Sequence, residues 1–329
     1  MNLVGMYTSS TNQFGVYLNP LLLRLGDDGV SVRRRVVKIL ADGMNLLDES
    51  RSALACQKLL CCASNPKEEE TVKDTIFDFF SDRWFACSAD ESSKATKHAK
   101  MSAEIVRSVS SDFTMGNNND AISILKNGND ITNFVVEVIS SLTSGYGRES
   151  DSNNKIEERS KRKAEMMSNC QHIVSALLEH LLIAEEKQSR PTTHDTHQQL
   201  VPAQILIAID MFSRAQPTLI SIDILDVLLP YLKPDGTRAS KGKSNFDIGT
   251  FNAVGYAVLS CLNRSLPNME AAKANEISSF VLSDLSNLCY KGIGESIVSK
   301  SVETLCNLEL FGNNSDVSRK IFELEGEYG

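Results

Sequence analysis

Apolar residues recur three and four positions apart through most of this chain, the spacing that gathers them on one face of an α-helix. Phe14, Tyr17, Leu18, Leu21, Leu22 and Leu25 make one such face, and Val32, Val36, Ile39, Leu40, Gly43 and Leu47 make the next. The pattern predicts two helices joined by an acidic turn, with Asp28 as the expected cap. A short apolar helix follows over 52–62. Asn65-Pro66-Lys67-Glu68 then sets a capping residue, a proline at the first helical position and a glutamate at the third. The helix expected there carries Val72, Ile76, Phe79, Phe80, Trp84 and Phe85 on its packing stripe, with Glu68, Glu69, Glu70, Asp74, Asp78 and Asp82 facing outward.

Residues 94–110 and 121–125 continue the helical pattern. Residues 131–142, with Phe134, Val135, Val136, Val138 and Ile139, fit a buried strand equally well by periodicity, and their helical neighbours decide for helix. The longest uninterrupted pattern runs over 155–186, packing through Ile173, Leu177, Leu178, Leu181 and Leu182. Residues 204–232 predict two helices divided at Pro217 and ending at Pro230 or Pro234. Three more helices are expected over 246–266, 268–290 and 294–310, with a further one beginning near Asp316. Polar, Gly-rich or Ser-rich stretches at 144–154, 188–199 and 234–245 read as loops. Roughly six helix pairs of about forty to fifty residues result, the dimensions of HEAT-type repeats. An acidic turn followed by Val32-Arg33 and an amphipathic helix is how the second helix of such a repeat usually begins. The expected fold class is therefore all-α, a single α-solenoid of HEAT-type helix pairs over 1–329.

Composition fits that class. Apolar residues make up 42% of the chain but aromatics only 6%, so Leu, Ile, Val and Ala dominate, a mixture suited to packed helices. Lys and Arg total 34 against 42 for Asp and Glu, a net charge of −8, so any contact with nucleic acid has to be a local patch. The eight cysteines have no paired metal-ligand spacing and read as reduced and buried. No run of apolar residues is long enough to span a bilayer, and no secretory leader pattern is visible, so no membrane role is expected.

Candidate chemistry is sparse. His194-Asp195-Thr196-His197 sits in a polar stretch without a third ligand, and His172 and His180 lie eight residues apart on one long helix. Cys61-Cys62 reads as two packed thiols. No phosphate-binding glycine loop or nucleophile elbow is present, so no enzyme, metal or cofactor is expected. The basic positions are more informative. Arg33 is expected to bond carboxylates or carbonyls in the turn, with Asp27 or Asp28 as its local partners. Arg34, Arg35 and Lys38 fall away from the apolar stripe, and residues 24–38 carry five basic residues against Asp27 and Asp28, a local net charge of +3. They read equally as a solvated face or as a contact for nucleic acid or protein. Arg159, Lys161, Arg162 and Lys163 stand at a helix start, where positive charge opposes the macrodipole. Arg238, Lys241 and Lys243 lie in a loop. A patch neutralising about four phosphates gives a salt slope of only about −3.6, so binding would be weak and independent of base sequence.

The wording of several segments goes further. Ser31 to Leu40, SVRRRVVKIL, closely resembles the SVRKRVIKIL stretch of the Nipped-B-like cohesin loader family, and 72–85 is similar to that family's VNETFQKLWF ending at a similar distance. Residues 177–187, LLEHLLIAEEK, resemble LVEHILKYEES. Phe212, Ser213, Arg214 and Pro217, with the closing Pro230-Tyr231-Leu232, are similar to the family's Phe-Ser-basic and Pro-Tyr-Leu elements. The resemblance covers most of the chain and implies a piece of a far longer loader. It implies a non-enzymatic nuclear, chromatin-associated protein whose HEAT repeats contact the SMC and kleisin subunits of cohesin and, without sequence preference, DNA. Stimulation of cohesin's ATPase, chromatin loading and sister chromatid cohesion follow from it, with the loader's partner subunit bound outside this segment. Under this reading Asp28, Val32, Arg33, Val36, Ile39 and Leu40 build the repeat, while Arg34, Arg35, Lys38 and the basic group at 159–163 are the contact candidates. A different HEAT or armadillo scaffold, such as a nuclear transport receptor or adaptor, shares the fold and the acidic balance. It lacks a reason to reproduce the Phe-Ser-Arg and Pro-Tyr-Leu elements.

Overall fold

The computed structural model describes residues 11–81, 101, 130–144, 156–188, 201–233, 248–291, 294–312 and 315–328. Among the described residues there are twelve α-helices and no strands. They are α1 (Thr11–Arg24), α2 (Val30–Gly43), α3 (Glu49–Ala63), α4 (Glu70–Phe79), α5 (Asp130–Ser144), α6 (Ile156–Gln188), α7 (Val201–Ala215), α8 (Ile222–Leu228), α9 (Ile248–Ser265), α10 (Ala271–Lys291), α11 (Glu295–Gly312) and α12 (Ser315–Tyr328). The segment 131–142 that could have been a strand is helical. The helices expected at 94–110 and 121–125 lie outside the described residues but for Met101. So do Trp84, Phe85 and Cys87, and all of the expected loops but Ser144 and Gln188.

The chain divides into two compact units, one of Met1–Val109 with Gly128–Ala176 and the other of Ser110–Asn127 with Leu177–Gly329. In the first, α1 and α2 form a hairpin closed by Phe14, whose ring lies so near Gly43 that any side chain there would collide with it. Asp48 caps α3 by accepting the Arg51 N–H at 2.9 Å. Leu59 and Leu60 of α3 are fully buried, as are Val72 and Ile76 of α4 and Ile139 of α5. Phe134 of α5 meets Phe77 and Phe80 edge to face at centroid distances of 6.4 and 6.5 Å.

The expected start at Asn65-Pro66-Lys67-Glu68 is displaced in the structure. The Asn65 side chain accepts the Lys67 N–H at 3.0 Å, which makes a turn, and α4 begins at Glu70 after Glu69. Glu68 does not cap it or face outward, because it is drawn back to Arg33 of α2.

In the second unit Pro217 separates α7 from α8, and Ser221 caps α8 by accepting the Ile224 N–H at 3.4 Å. The Leu229–Leu232 turn ends the pair at Pro230-Tyr231-Leu232. α9 lies between α7 and α11. Gly255 meets Ile297, Tyr256 meets Lys300, and Asn263 meets Glu303, so α9 and α11 run in the same direction. α10 and α11 form an antiparallel hairpin in which Gly312 sits against Asn275. Same-direction neighbours linked through antiparallel partners are the geometry of stacked helix pairs.

Candidate functional site

The turn before α2 is built from Asp27. One of its carboxylate oxygens accepts the Gly29 N–H at 2.9 Å and the other accepts Arg24 Nη1 at 3.0 Å, and together they hold the Asp27 carboxyl below its ordinary value. Gly29, not Asp28, is the capping residue, and it makes no side-chain cap bond. Asp28 contributes its carbonyl instead. Arg33 Nη1 donates to the carbonyls of Asp27 at 2.6 Å and Asp28 at 3.1 Å, while its Nε and Nη2 donate to Glu68 Oε1 at 3.1 and 2.7 Å. One guanidinium therefore ties the α1–α2 turn to the segment that leads into α4. The Glu68 side chain is only 5% exposed. Burial pushes its carboxyl up, but the bonds from Arg33, from the Glu69 N–H and from Cys62 outweigh that and hold it below its usual value. Cys62 donates to Glu68 Oε2 at 3.3 Å, and burial, then that bond, push its thiol up to about 12.

With Arg33 so engaged, the cations left on the surface of α2 are Arg34, Arg35 and Lys38. All three are exposed, and none has a hydrogen-bond or ion-pair partner among the described residues. The helix packs through Val36, Val37, Leu40 and Gly43, with Ile39 half-buried. Val32, expected in the packing stripe, is 40% exposed, and the buried stripe is centred instead on Val36 and Leu40 with Val37 beside them. Arg33 points toward Glu68, and the buried residues Val36, Val37 and Leu40 lie on the adjoining side of the helix.

On α6, Lys161 and Lys163 are exposed, and the side chains of Arg159 and Arg162 lie outside the described residues. No hydrogen bond or ion pair joins this group to the α2 cations among the described residues. The loop cations Arg238, Lys241 and Lys243 and the histidines at 194 and 197 are outside the described residues as well.

A second polar centre escaped the sequence reading. Asp210 sits in the apolar run of α7 and is 1% exposed. Arg264 of α9 reaches it with Nη1 at 2.6 Å, and the same nitrogen lies 3.5 Å from Ser213 Oγ. Burial raises the Asp210 carboxyl and the Arg264 charge lowers it, with a net displacement upward. Burial lowers Arg214, at the half-buried end of α7, the Asp210 charge opposes this and the like charge of Arg264 adds to it, with a net displacement downward. The signal was available in the sequence: an aspartate inside Ile-Leu-Ile-Ala-Ile-Asp-Met-Phe needs a cation from elsewhere. Phe212 and Ser213, which resemble the family's Phe-Ser element, follow Asp210 on the same helix and are both buried.

No group of three metal-ligating side chains occurs among the described residues. The cysteines are not uniformly buried: Cys61 and Cys306 are exposed, because they fall on the outer faces of α3 and α11. Burial raises the thiols of Cys170 to about 12 and of Cys289 to about 11, which withholds thiolate chemistry from both. What α2 offers is recognition: three exposed cations on a rigid helix, suited to phosphates or carboxylates.

No family model and no curated protein matches the chain. Among solved structures it is similar to the C-terminal fragment of the Chaetomium thermophilum cohesin loader SCC2, with a TM-score of 0.62 and 18% identity. The match covers 93% of this chain and 18% of that one, so the chain spans under a fifth of its neighbour's length. At this identity the likeness shows the fold, a HEAT-type helical solenoid.

Proposed function

We propose that this chain is a scaffold segment of a cohesin loader of the Nipped-B-like type, acting in the nucleus on chromatin. In this reading its helix pairs hold the SMC and kleisin subunits of cohesin and DNA together, and so promote ATP hydrolysis by cohesin and its loading. The observation that carries the reading is α2. A segment that closely resembles the loader family folds into a helix whose Arg33 is spent on the fold while Arg34, Arg35 and Lys38 project from it. The structural likeness to a cohesin loader fragment supports the same assignment.

Arg34, Arg35 and Lys38 act as point contacts to phosphate oxygens, which position DNA without reading bases. Replacing all three with Glu tests this. Binding of the chain to a fluorescent duplex should weaken, and the salt slope should fall by about 2.7, corresponding to three lost phosphate contacts. Stimulation of cohesin's DNA-dependent ATPase by the loader carrying the same three substitutions should fall in parallel. Unchanged affinity, salt slope and ATPase would remove the α2 row from the contact surface.

A further inference from the structure

The outward face of α2 carries more than cations. Ser31, the second residue of the helix, is exposed, and its hydroxyl has no hydrogen-bond partner among the described residues. It neither caps α2, whose capping residue is Gly29, nor joins the bonds that Arg33 makes in the turn. Ser31, Arg34, Arg35 and Lys38 follow one another at three, one and three residues, which puts all four on one side of the helix within about 100° of arc. Arg34 and Arg35, three and four residues on, are the positions that a group on Ser31 reaches along a helix. A hydroxyl without a structural duty therefore stands beside two guanidiniums that bond nothing else among the described residues.

We propose that Ser31 is a phosphorylation site, and that its phosphate folds onto Arg34 and Arg35 and closes the α2 row to DNA. The proposal rests on the reading of that row as a DNA contact. A protein kinase supplies the group from ATP. The Ser31 Oγ–P bond forms, the bond from the γ-phosphorus to its bridging oxygen breaks with the electron pair leaving on ADP, and the hydroxyl proton passes to the kinase's base. The phosphate brings about two negative charges and three acceptor oxygens, and a guanidinium takes phosphate in a fork of two bonds. It occupies the two arginines with the contacts a DNA phosphate would make, and takes the row of three cations from +3 to about +1. Asp27, the carboxylate built into the turn, is already bonded to Arg24 and Gly29 and does not compete for them.

The modification leaves the fold in place. Negative charge in the first turn of a helix is favourable, and the packing residues Val36, Val37 and Leu40 lie on the other side of α2. A kinase takes its substrate extended, so this turn opens for the reaction, and the hold of Arg33 on Glu68 is what resists the opening.

The full chain with phosphoserine encoded at position 31 tests the effect, with a fluorescent duplex as probe across a salt series. Affinity should fall below that of wild type and the salt slope should drop by about 1.8, the value of two phosphate contacts. The melting temperature should be unchanged or higher, and Ser31→Ala should bind as wild type does. In an Arg34→Gln, Arg35→Gln background the phosphoserine should cause little further loss. The triple variant Arg34→Glu, Arg35→Glu, Lys38→Glu, run beside these, separates the two readings. If it binds weakly while the phosphoserine chain binds as wild type does, the proposal falls and the contact reading stands; if it too binds as wild type does, both fall. An undiminished loss in the Gln background, or a lowered melting temperature, also overturns the proposal, since the phosphate then acts by repulsion or through the fold. Access is measured separately, by treating the full chain with ATP and the catalytic domain of protein kinase C, which accepts arginine after its target serine. Mass spectrometry should find phosphate on Ser31, and faster in Glu68→Gln; no phosphate at Ser31 in either chain overturns the site.

Discussion

Arg33 and Glu68 are thirty-five residues apart in the chain and 2.7 Å apart in space. Both side chains are largely shielded, and Arg33 also satisfies two carbonyls of the α1–α2 turn. Removing one member of a shielded pair leaves the other's charge desolvated, so Arg33→Met should destabilise by about 3 kcal/mol and Arg33→Lys by somewhat less, since an ammonium cannot match the planar fork. Denaturant midpoints with unchanged slopes would measure this. The pair also sets an acid limit. Because the Glu68 carboxyl lies below its unfolded value, its contribution is complete above the unfolded pKa of about 4.3 and is lost as pH falls through the folded value. Glu68→Gln should flatten the fall of melting temperature below that pH, and an unaltered acid limb would show that other carboxylates govern it.

Phe14 and Gly43 give a prediction in which two effects compete. Alanine favours a helix over glycine by about 1 kcal/mol, but a methyl at position 43 collides with the Phe14 ring, and overpacking costs about 1–3 kcal/mol. Gly43→Ala should therefore lower stability in the wild type and raise it in a Phe14→Ala background. The sign change, measured as a double-mutant cycle, is the diagnostic.

These residues show how far the sequence could be read. Among the described residues the helices, the hairpin order of α1 and α2 and the bonding of Arg33 in the turn are legible, because periodicity and the acidic turn are local signals. Glu68 was misassigned to a helix cap because its real partner is distant, and a capping pattern carries no information about a competing arginine. Periodicity puts Val32 in the core and the structure leaves it 40% exposed, because periodicity gives a stripe's spacing but not its centre. Asp210 was passed over within an apolar run, although a buried carboxylate there required a partner such as Arg264. The exposed cations of α2 were identified from the sequence, and only the fold could separate them from Arg24 and Arg33.

The Arg34, Arg35 and Lys38 row predicts a separation of stability from binding. All three are exposed and without partners among the described residues, so Ala at each should change stability by no more than about 0.5 kcal/mol. Duplex affinity should nevertheless drop with each, roughly uniformly across DNA sequences. Equal losses of stability and affinity would mean that the substitutions act through the fold.

Asp210 and Arg264 predict the opposite behaviour, a large structural effect. Asp210 is fully buried, and burial raises its carboxyl despite Arg264 at 2.6 Å. Arg264→Met leaves that carboxylate without its hydrogen-bonded cation, which should cost about 3 kcal/mol at neutral pH, since Arg214 and Lys300 act on it only from a distance. The variant should recover stability in acid: a carboxyl raised above its unfolded value contributes fully below about pH 3.9, and its contribution is lost as pH rises through the folded pKa. Arg264→Met should therefore lose more stability than wild type between acid and neutral pH. Adding Asp210→Leu removes the stranded charge, and the double variant should regain most of the loss and its excess pH dependence, since an apolar pair of similar volume often replaces a buried ion pair without penalty. Denaturant titrations of the wild type, Arg264→Met and the double variant at two pH values decide it. A double variant as unstable as Arg264→Met alone would place the cost in lost arginine packing rather than in the buried carboxylate.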